Sequence, residues 1–142
     1  MLINLSNHPS ANWPTEQVRE VEKLYGEAYD YPFPAVPVDF TSDDIVKKAE
    51  KIVAEIVDRK DKIEDDNLNT ENESDKARNS SFAVMCQGEF TLTYAIISLL
   101  QEAGIEVVSA VSERIVREEK VGEEIRKTAV FRFAGFRGYP VL

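Results

Sequence analysis

The run Ser81-Phe82-Ala83-Val84-Met85-Cys86 is apolar from Phe82 onward with no polar alternation. A strand of that kind has no face to offer to water, so it belongs in a sheet covered on both sides. After Gln87-Gly88-Glu89 comes a helical pattern, Phe90 to Ala103, apolar nearly all round, with Gly104 placed to close it. Such a helix needs cover on more than one side; the sheet supplies one, and the other is a candidate subunit interface. These two segments together demand a layered α/β arrangement.

The remaining segments fit that demand. Leu2-Ile3-Asn4-Leu5 reads as a short strand, and the turn-forming "SNHPSANWP" stops it. Val18, Val21, Leu24 and Tyr25 repeat at helical spacing up to Gly26, and "EAYDYPFPAVP" gives a brief strand that its prolines cut short. Thr41-Ser42-Asp43-Asp44 opens a second helix, with hydroxyl caps and acids at the positive end of the helix dipole. Ile45, Val46, Ala49, Ile52, Val53, Ile56 and Val57 form its buried stripe. From Lys60 to Ser80 only Ile63, Leu68 and Ala77 are apolar, too few to offset the entropy of ordering; the sequence predicts a mobile acidic insertion over 60–80, with a charged extension of the helix as the alternative. Ile105 to Val111 is a further strand that runs on through "SERIVREE", turns at Val121-Gly122 and returns along "EEIRKTAVFRFAGF". The reading is a single domain over residues 1–142, a three-layer Rossmann-like α/β fold with a mostly parallel sheet and a C-terminal antiparallel hairpin.

Charge narrows the partners. The net charge is −9, which argues against long DNA or RNA, whose sequence-independent affinity comes from neutralising many phosphates. The acid is unevenly spread: residues 1–41 carry 2 basic and 6 acidic groups, 42–78 carry 8 and 12, and 79–142 carry 7 and 8. Any anion site is therefore expected in the last third or at a helix start. No segment is long and apolar enough for a membrane span and no signal peptide stands at the start, so a cytoplasmic protein without membrane contact is expected. One cysteine and one histidine exclude an internal disulfide and a structural zinc site, and no cofactor motif is present; Cys86 is expected as a buried small hydrophobe.

Ligands of open α/β sheets collect beyond the carboxyl ends of the strands, and three polar clusters fall there. Asn4, Ser6, Asn7 and His8 follow the first strand; Gln87, Gly88, Glu89 and Thr91 follow the third; Ser112, Glu113 and Arg114 lie within the fourth run. Gly88 lets backbone pass close to a ligand, and the amides of Glu89 to Thr91 at the helix start suit a phosphate; the alternative is a plain turn in which Glu89 itself satisfies the helix dipole. His8 is the one side chain that titrates near neutrality and so the candidate for moving a proton. Arg114 suits a phosphate clamp, or else an ion pair with Glu113 or Glu118. Ser6 and Ser112 can donate to phosphate, and Trp13 and Tyr94 offer faces on which a base could stack.

At "QGEFTLTY", "SAVSERIV" and "KTAVFRFAGFRGY", with a weaker match at "INLSNH", the chain resembles the small ring-nuclease branch of the CARF-like (CRISPR-associated Rossmann fold) proteins. The resemblance spans Val84 to Tyr139 and covers roughly half the chain. It implies a homodimer that binds a cyclic oligoadenylate, most often the four-membered ring, and cleaves it without metal by attack of a ribose 2′-hydroxyl on the adjacent phosphate. The positions that match are Asn7, His8, Gln87, Gly88, Thr93, Ser112 and Arg114; with the strand-end clusters they give His8, Ser112 and Arg114 as candidates for catalysis and Ser6, Asn7, Gln87, Gly88, Glu89, Thr91 and Thr93 as candidates for ligand binding. The chain departs from that family's pattern at Glu89, Thr91, Ser112 and Phe133. Two other functions suit the same residues: a nucleotide sensor or sponge without turnover, and a protein-interaction module that uses the apolar third helix and the acidic segment.

Overall fold

The computed structural model describes residues 1–69, 71 and 81–142. Five strands, β1 (Leu2–Ser6), β2 (Ala28–Pro32), β3 (Ala83–Gln87), β4 (Glu106–Val121) and β5 (Glu124–Gly138), form one sheet in the order β2-β1-β3-β4-β5. The first four are mutually parallel, and β5 runs antiparallel to β4. Among the described residues three α-helices connect them: α1 (Thr15–Tyr25), α2 (Ser42–Asn69) and α3 (Phe90–Glu102). The chain steps one way from β1 to β2 and then back across β1 to β3. Right-handed crossovers therefore lay α1 on one face and α2 and α3 on the other. This is the three-layer α/β fold with a terminal hairpin that the sequence demands.

Two buried clusters show the layering. Ile3, Leu5, Val84 and Cys86 point to α2 and α3, where they meet Ile45, Ile52, Ile96 and Leu100. Leu2, Ala83, Met85 and Val108 point the other way, to Val21 and Tyr25 of α1. All five residues of β1 are buried, as are the first four of β3, as expected for central strands with helices on both sides.

The helix ends follow their local chemistry. At α2, the Asp44 amide donates to Thr41 Oγ1 (3.2 Å) and the Thr41 amide donates back to Asp44 Oδ2 (2.9 Å). This is a reciprocal cap, and it holds the Asp44 carboxyl below its usual range. Gly26 ends α1 at φ 87°.

One expectation is corrected. The segment from Lys60 to Asn69 is helix, continuous with α2, so over these residues the charged extension of the helix, the alternative reading, is what forms. Once a helix is nucleated each further residue adds a hydrogen bond at low cost, so few apolar residues suffice. Ion pairs Lys60–Glu64 and Lys62–Asp58 run along it, and Arg59 lies 3.5 Å over the Tyr29 ring. The rest of that segment, apart from residue 71, lies outside the described residues.

β4 leads two lives. It pairs with β3 only from Glu106 to Val108, whereas its pairing with β5 continues to Val121↔Glu124. From Ser112 outward the two strands form an arm about 30 Å long with no third strand beside it among the described residues. At the base of the arm Ala134 is an extra residue in β5, because Val111 pairs with Gly135 and Ser112 with Phe133. Gly135 takes φ 145°, which a side chain would resist. This bulge lets Phe133 and Phe136 share a face and meet edge to face, centroids 5.2 Å apart.

Candidate functional site

In this strand order the chain reverses direction between β1 and β3, so the loops leaving those two strands diverge and leave a hollow between them. The loop after β1 is built from below. Asn4, 1% exposed, spends its whole amide on it: Nδ2 donates to the His8 carbonyl (2.8 Å) and to Asp30 Oδ1 (2.9 Å), and Oδ1 accepts from the Ser6 hydroxyl (2.6 Å). Asp30 in turn accepts from the Ser10 amide and hydroxyl, the latter at 3.0 Å. The Trp13 indole N–H donates to the same His8 carbonyl (3.0 Å). The backbone at His8 is thus held by two donors, and the Trp13 ring is fixed beside it.

Across the hollow the β3–β4 ladder stops at Met85↔Val108, which would leave the Ala110 amide without a partner. Gln87 Oε1 accepts from it at 3.0 Å, so the side chain extends the sheet by one rung. Its amide nitrogen remains available.

Between these parts lies a cavity of about 380 Å³, lined by residues that include Asn7, His8, Trp13, Gln17, Gln87 and Ser112. Its wall contains no Lys, Arg, Asp or Glu. Of the residues the sequence singles out, Asn7, His8, Gln87 and Ser112 therefore converge. Ser6 lies beneath them, 5% exposed, its hydroxyl used by Asn4 and by the His8 amide (3.2 Å).

The other candidates are elsewhere. Gly88 is small for a different reason from the one expected: a Cβ there would come within 2.5 Å of the Phe33 ring, so it makes room for the core rather than for a ligand. The α3 start is not free either. The Glu89 carboxylate accepts from the Thr91 amide (3.0 Å), the Leu92 amide (2.8 Å) and the Thr91 hydroxyl. These bonds hold the Glu89 carboxyl below its usual range, the Leu92 amide foremost. The expectation of open amides for a phosphate fails at Thr91; the plain cap by Glu89 is what forms.

Thr91 instead borders a second groove, toward α2, with Phe40, Val46, Phe90 and Tyr94; Phe90 is 89% exposed and Tyr94 is exposed beside it, not stacked in the core. The Thr93 hydroxyl is buried without a hydrogen-bond partner; it meets the Cys86 sulfur without the geometry of a bond. Burial pushes the Cys86 thiol up to about 12, which makes it inert, as expected of a buried small hydrophobe. Arg114 lies two residues beyond Ser112 on the arm, exposed, and among the described residues it forms no ion pair with Glu113 or Glu118; Glu118 faces Lys127 at 3.7 Å instead.

Two contributors escape a reading by clusters. Asp30 is distant in sequence and sits beside Asn4 only because β1 and β2 pair there. Gln17 did leave a signal: it occupies the position one turn before Val21 and two before Tyr25, a polar residue on the buried stripe of α1. Among the described residues no three carboxylate, imidazole or thiol groups gather closely enough to hold a metal ion, and no helix is long and apolar enough to cross a membrane.

Fold and hollow define a doubly wound α/β protein with a cavity at its topological switch point whose described lining holds no Lys, Arg, Asp or Glu. The chain belongs to the uncharacterized protein MJ1673 family, whose model matches residues 1–137. Neither a curated protein nor a solved structure matches it.

Proposed function

We propose that the protein is a cytoplasmic homodimer that binds a cyclic oligoadenylate, the four-membered ring foremost, and opens it to end type III CRISPR signalling. The observation that carries this reading is the convergence of Asn7, His8, Gln87 and Ser112 on one cavity at the switch point. These are residues that the resemblance to CARF-like ring nucleases implies, and three separate stretches of sequence supply them.

In the proposed reaction a ribose 2′-hydroxyl attacks the neighbouring phosphorus in line. The O2′–P bond forms as the P–O5′ bond breaks, leaving a 2′,3′-cyclic phosphate and a 5′-hydroxyl. The 2′ proton passes to a base, and the departing O5′ takes one up. His8 is the group suited to both transfers, with its loop fixed by Asn4 and Trp13. Ser112 would orient the phosphate, and Arg114 on the arm would offset its developing charge from the side shared with the second subunit.

The test is incubation of the pure protein with cyclic tetra-adenylate in EDTA, followed by chromatography. Linear products ending in a 2′,3′-cyclic phosphate are expected. An unchanged ring at stoichiometric protein would rule out cleavage.

A second reading has its own observation. The cavity wall holds no Lys or Arg, and Glu89 occupies the amides of the α3 start. Both features favour binding without turnover, as in a sensor or sponge. It predicts thermal stabilisation by the ring with intact ligand recovered.

A further inference from the structure

Gln17 is 7% exposed and lines the cavity, and among the described residues its amide has one hydrogen-bond partner, the Met85 sulfur at 3.9 Å. A thioether is a weak acceptor, so the amide, which opens onto the cavity, keeps nearly all of its donor and acceptor capacity for what occupies that space. That holds whichever way the amide is turned, and it is unlike Asn4, whose amide is fully engaged a few residues away. An amide that lines a cavity with only a thioether for a protein partner suits a ligand that carries both an acceptor and a donor.

The rest of the wall says which part of a nucleotide that is. A phosphate would want cations or free amides, and the cavity wall has no Lys or Arg. A nucleobase wants a flat apolar face and neutral hydrogen-bonding groups. Trp13 supplies the face, with its ring held by the bond from Nε1 to the His8 carbonyl, and Met85 and Ala110 supply apolar floor. About 380 Å³ is within the size of small-molecule sites. A side-chain amide pairs with adenine in particular: its oxygen accepts from the 6-amino group while its N–H donates to N7. Inosine and guanosine present two acceptors on that same edge and can satisfy only half of the amide.

We infer that this cavity is an adenine subsite in which Gln17 reads the amino/N7 edge of a base stacked on Trp13, while the phosphates sit at its edge, at Ser112 and toward Arg114. The inference rests on the proposed nucleotide reading, and assigns to α1 a specificity residue that the strand-end clusters do not contain.

Trp13 is the chain's one tryptophan, so its fluorescence reports the site directly. The wild type is titrated with cyclic tetra-adenylate, adenosine and inosine, and Gln17→Met is titrated in parallel. Methionine keeps the length of the side chain and packs on Met85, and circular dichroism checks that the variant folds. The expected result is quenching by the ring and by adenosine, with inosine weaker than adenosine by about tenfold or more. Gln17→Met should weaken the ring by a similar factor and bring adenosine and inosine together. If the ring binds but the variant and the wild type do not differ, the subsite assignment is wrong and the nucleotide reading stands. If the ring does not bind but adenosine does, with the preference over inosine, the subsite stands and the ring is the wrong ligand. If nothing quenches Trp13, both fall. Should Gln17→Met fail to fold, the wild type's preference for adenosine over inosine decides alone: equal affinity overturns the inference.

Discussion

The two halves of β4 differ as sharply as any two regions of the molecule. From Glu106 to Val108 the strand lies between β3 and β5 with helices over both faces, and Val107 and Val108 are buried. From Ser112 outward the same strand pairs with β5 alone, and Val116, Ile125, Val130 and Phe131 stand exposed, Phe131 at 71%. Apolar residues occur at both ends, so composition does not set the difference; the presence of a third strand and a covering helix does. An isolated ribbon of two strands is marginal in water. The arm therefore has backbone pairing without a core, and the cavity lies at the junction, lined by Ala110 and Ser112.

This contrast is broken most easily by removing apolar groups from each region. Ile96, fully buried between α3 and the sheet, should cost about 2–5 kcal/mol as Ile96→Ala in urea unfolding, the usual penalty for a core cavity. Phe131→Ala on the arm should stay within about 0.5 kcal/mol, the range of exposed substitutions. A large loss at Phe131 would mean that the arm is covered in solution.

Next in size are two substitutions at the strand ends. Asn4→Leu leaves the His8 carbonyl and Asp30 without their buried donor and should destabilise by about 1–3 kcal/mol. It should also shift Trp13 emission, because the loop that holds the indole loosens. Gly88→Ala should cost a similar 1–3 kcal/mol by overpacking against Phe33, and Phe33→Leu in the same chain should recover part of it. No recovery would mean that the Phe33 ring is not what a side chain at position 88 meets.

The smallest expected effect is on pH. The Glu89 and Asp44 carboxyls titrate below their ordinary values in the folded chain because each accepts amide bonds at a helix start. Their contribution is therefore present above the unfolded values, 4.5 and 3.8, and is lost as pH falls through the lower folded ones. Glu89→Gln and Asp44→Asn should each flatten the acid limb of a stability profile by lowering stability at neutral pH, while leaving the acid end, where both carboxyls are protonated, nearly unchanged.

What the sequence made legible follows from the range of the forces involved. The unbroken run into Cys86, the stripe from Ile45 to Val57 and the Thr41 cap are local patterns, and each forms as its spacing requires, except that Val46 at the edge of the stripe stands exposed. Asn7, His8, Gln87 and Ser112 were legible because position after or within a strand is enough to place them at the carboxyl edge. The rest depended on contacts between distant residues. Phe33 lies 55 positions before Gly88, so nothing near that glycine announces the ring it must admit. Asp30 enters the His8 loop only through the β1–β2 register. The continuation of α2 through Lys60 to Asn69 depends on ion pairs and on Ile63 finding the hollow beside Tyr29 and Tyr31. Glu89 had two uses open to it, and the nearer one, capping its own helix, is taken.

The face on which ligand sits is what the account stands on, and amide chemical shifts of the labelled protein titrated with cyclic tetra-adenylate test it most directly. The account predicts shifts at Asn7, His8, Trp13, Gln17, Gln87 and Ser112, with the groove of Phe40, Phe90 and Tyr94 unmoved. Shifts confined to that groove, or none at the switch point, would contradict it.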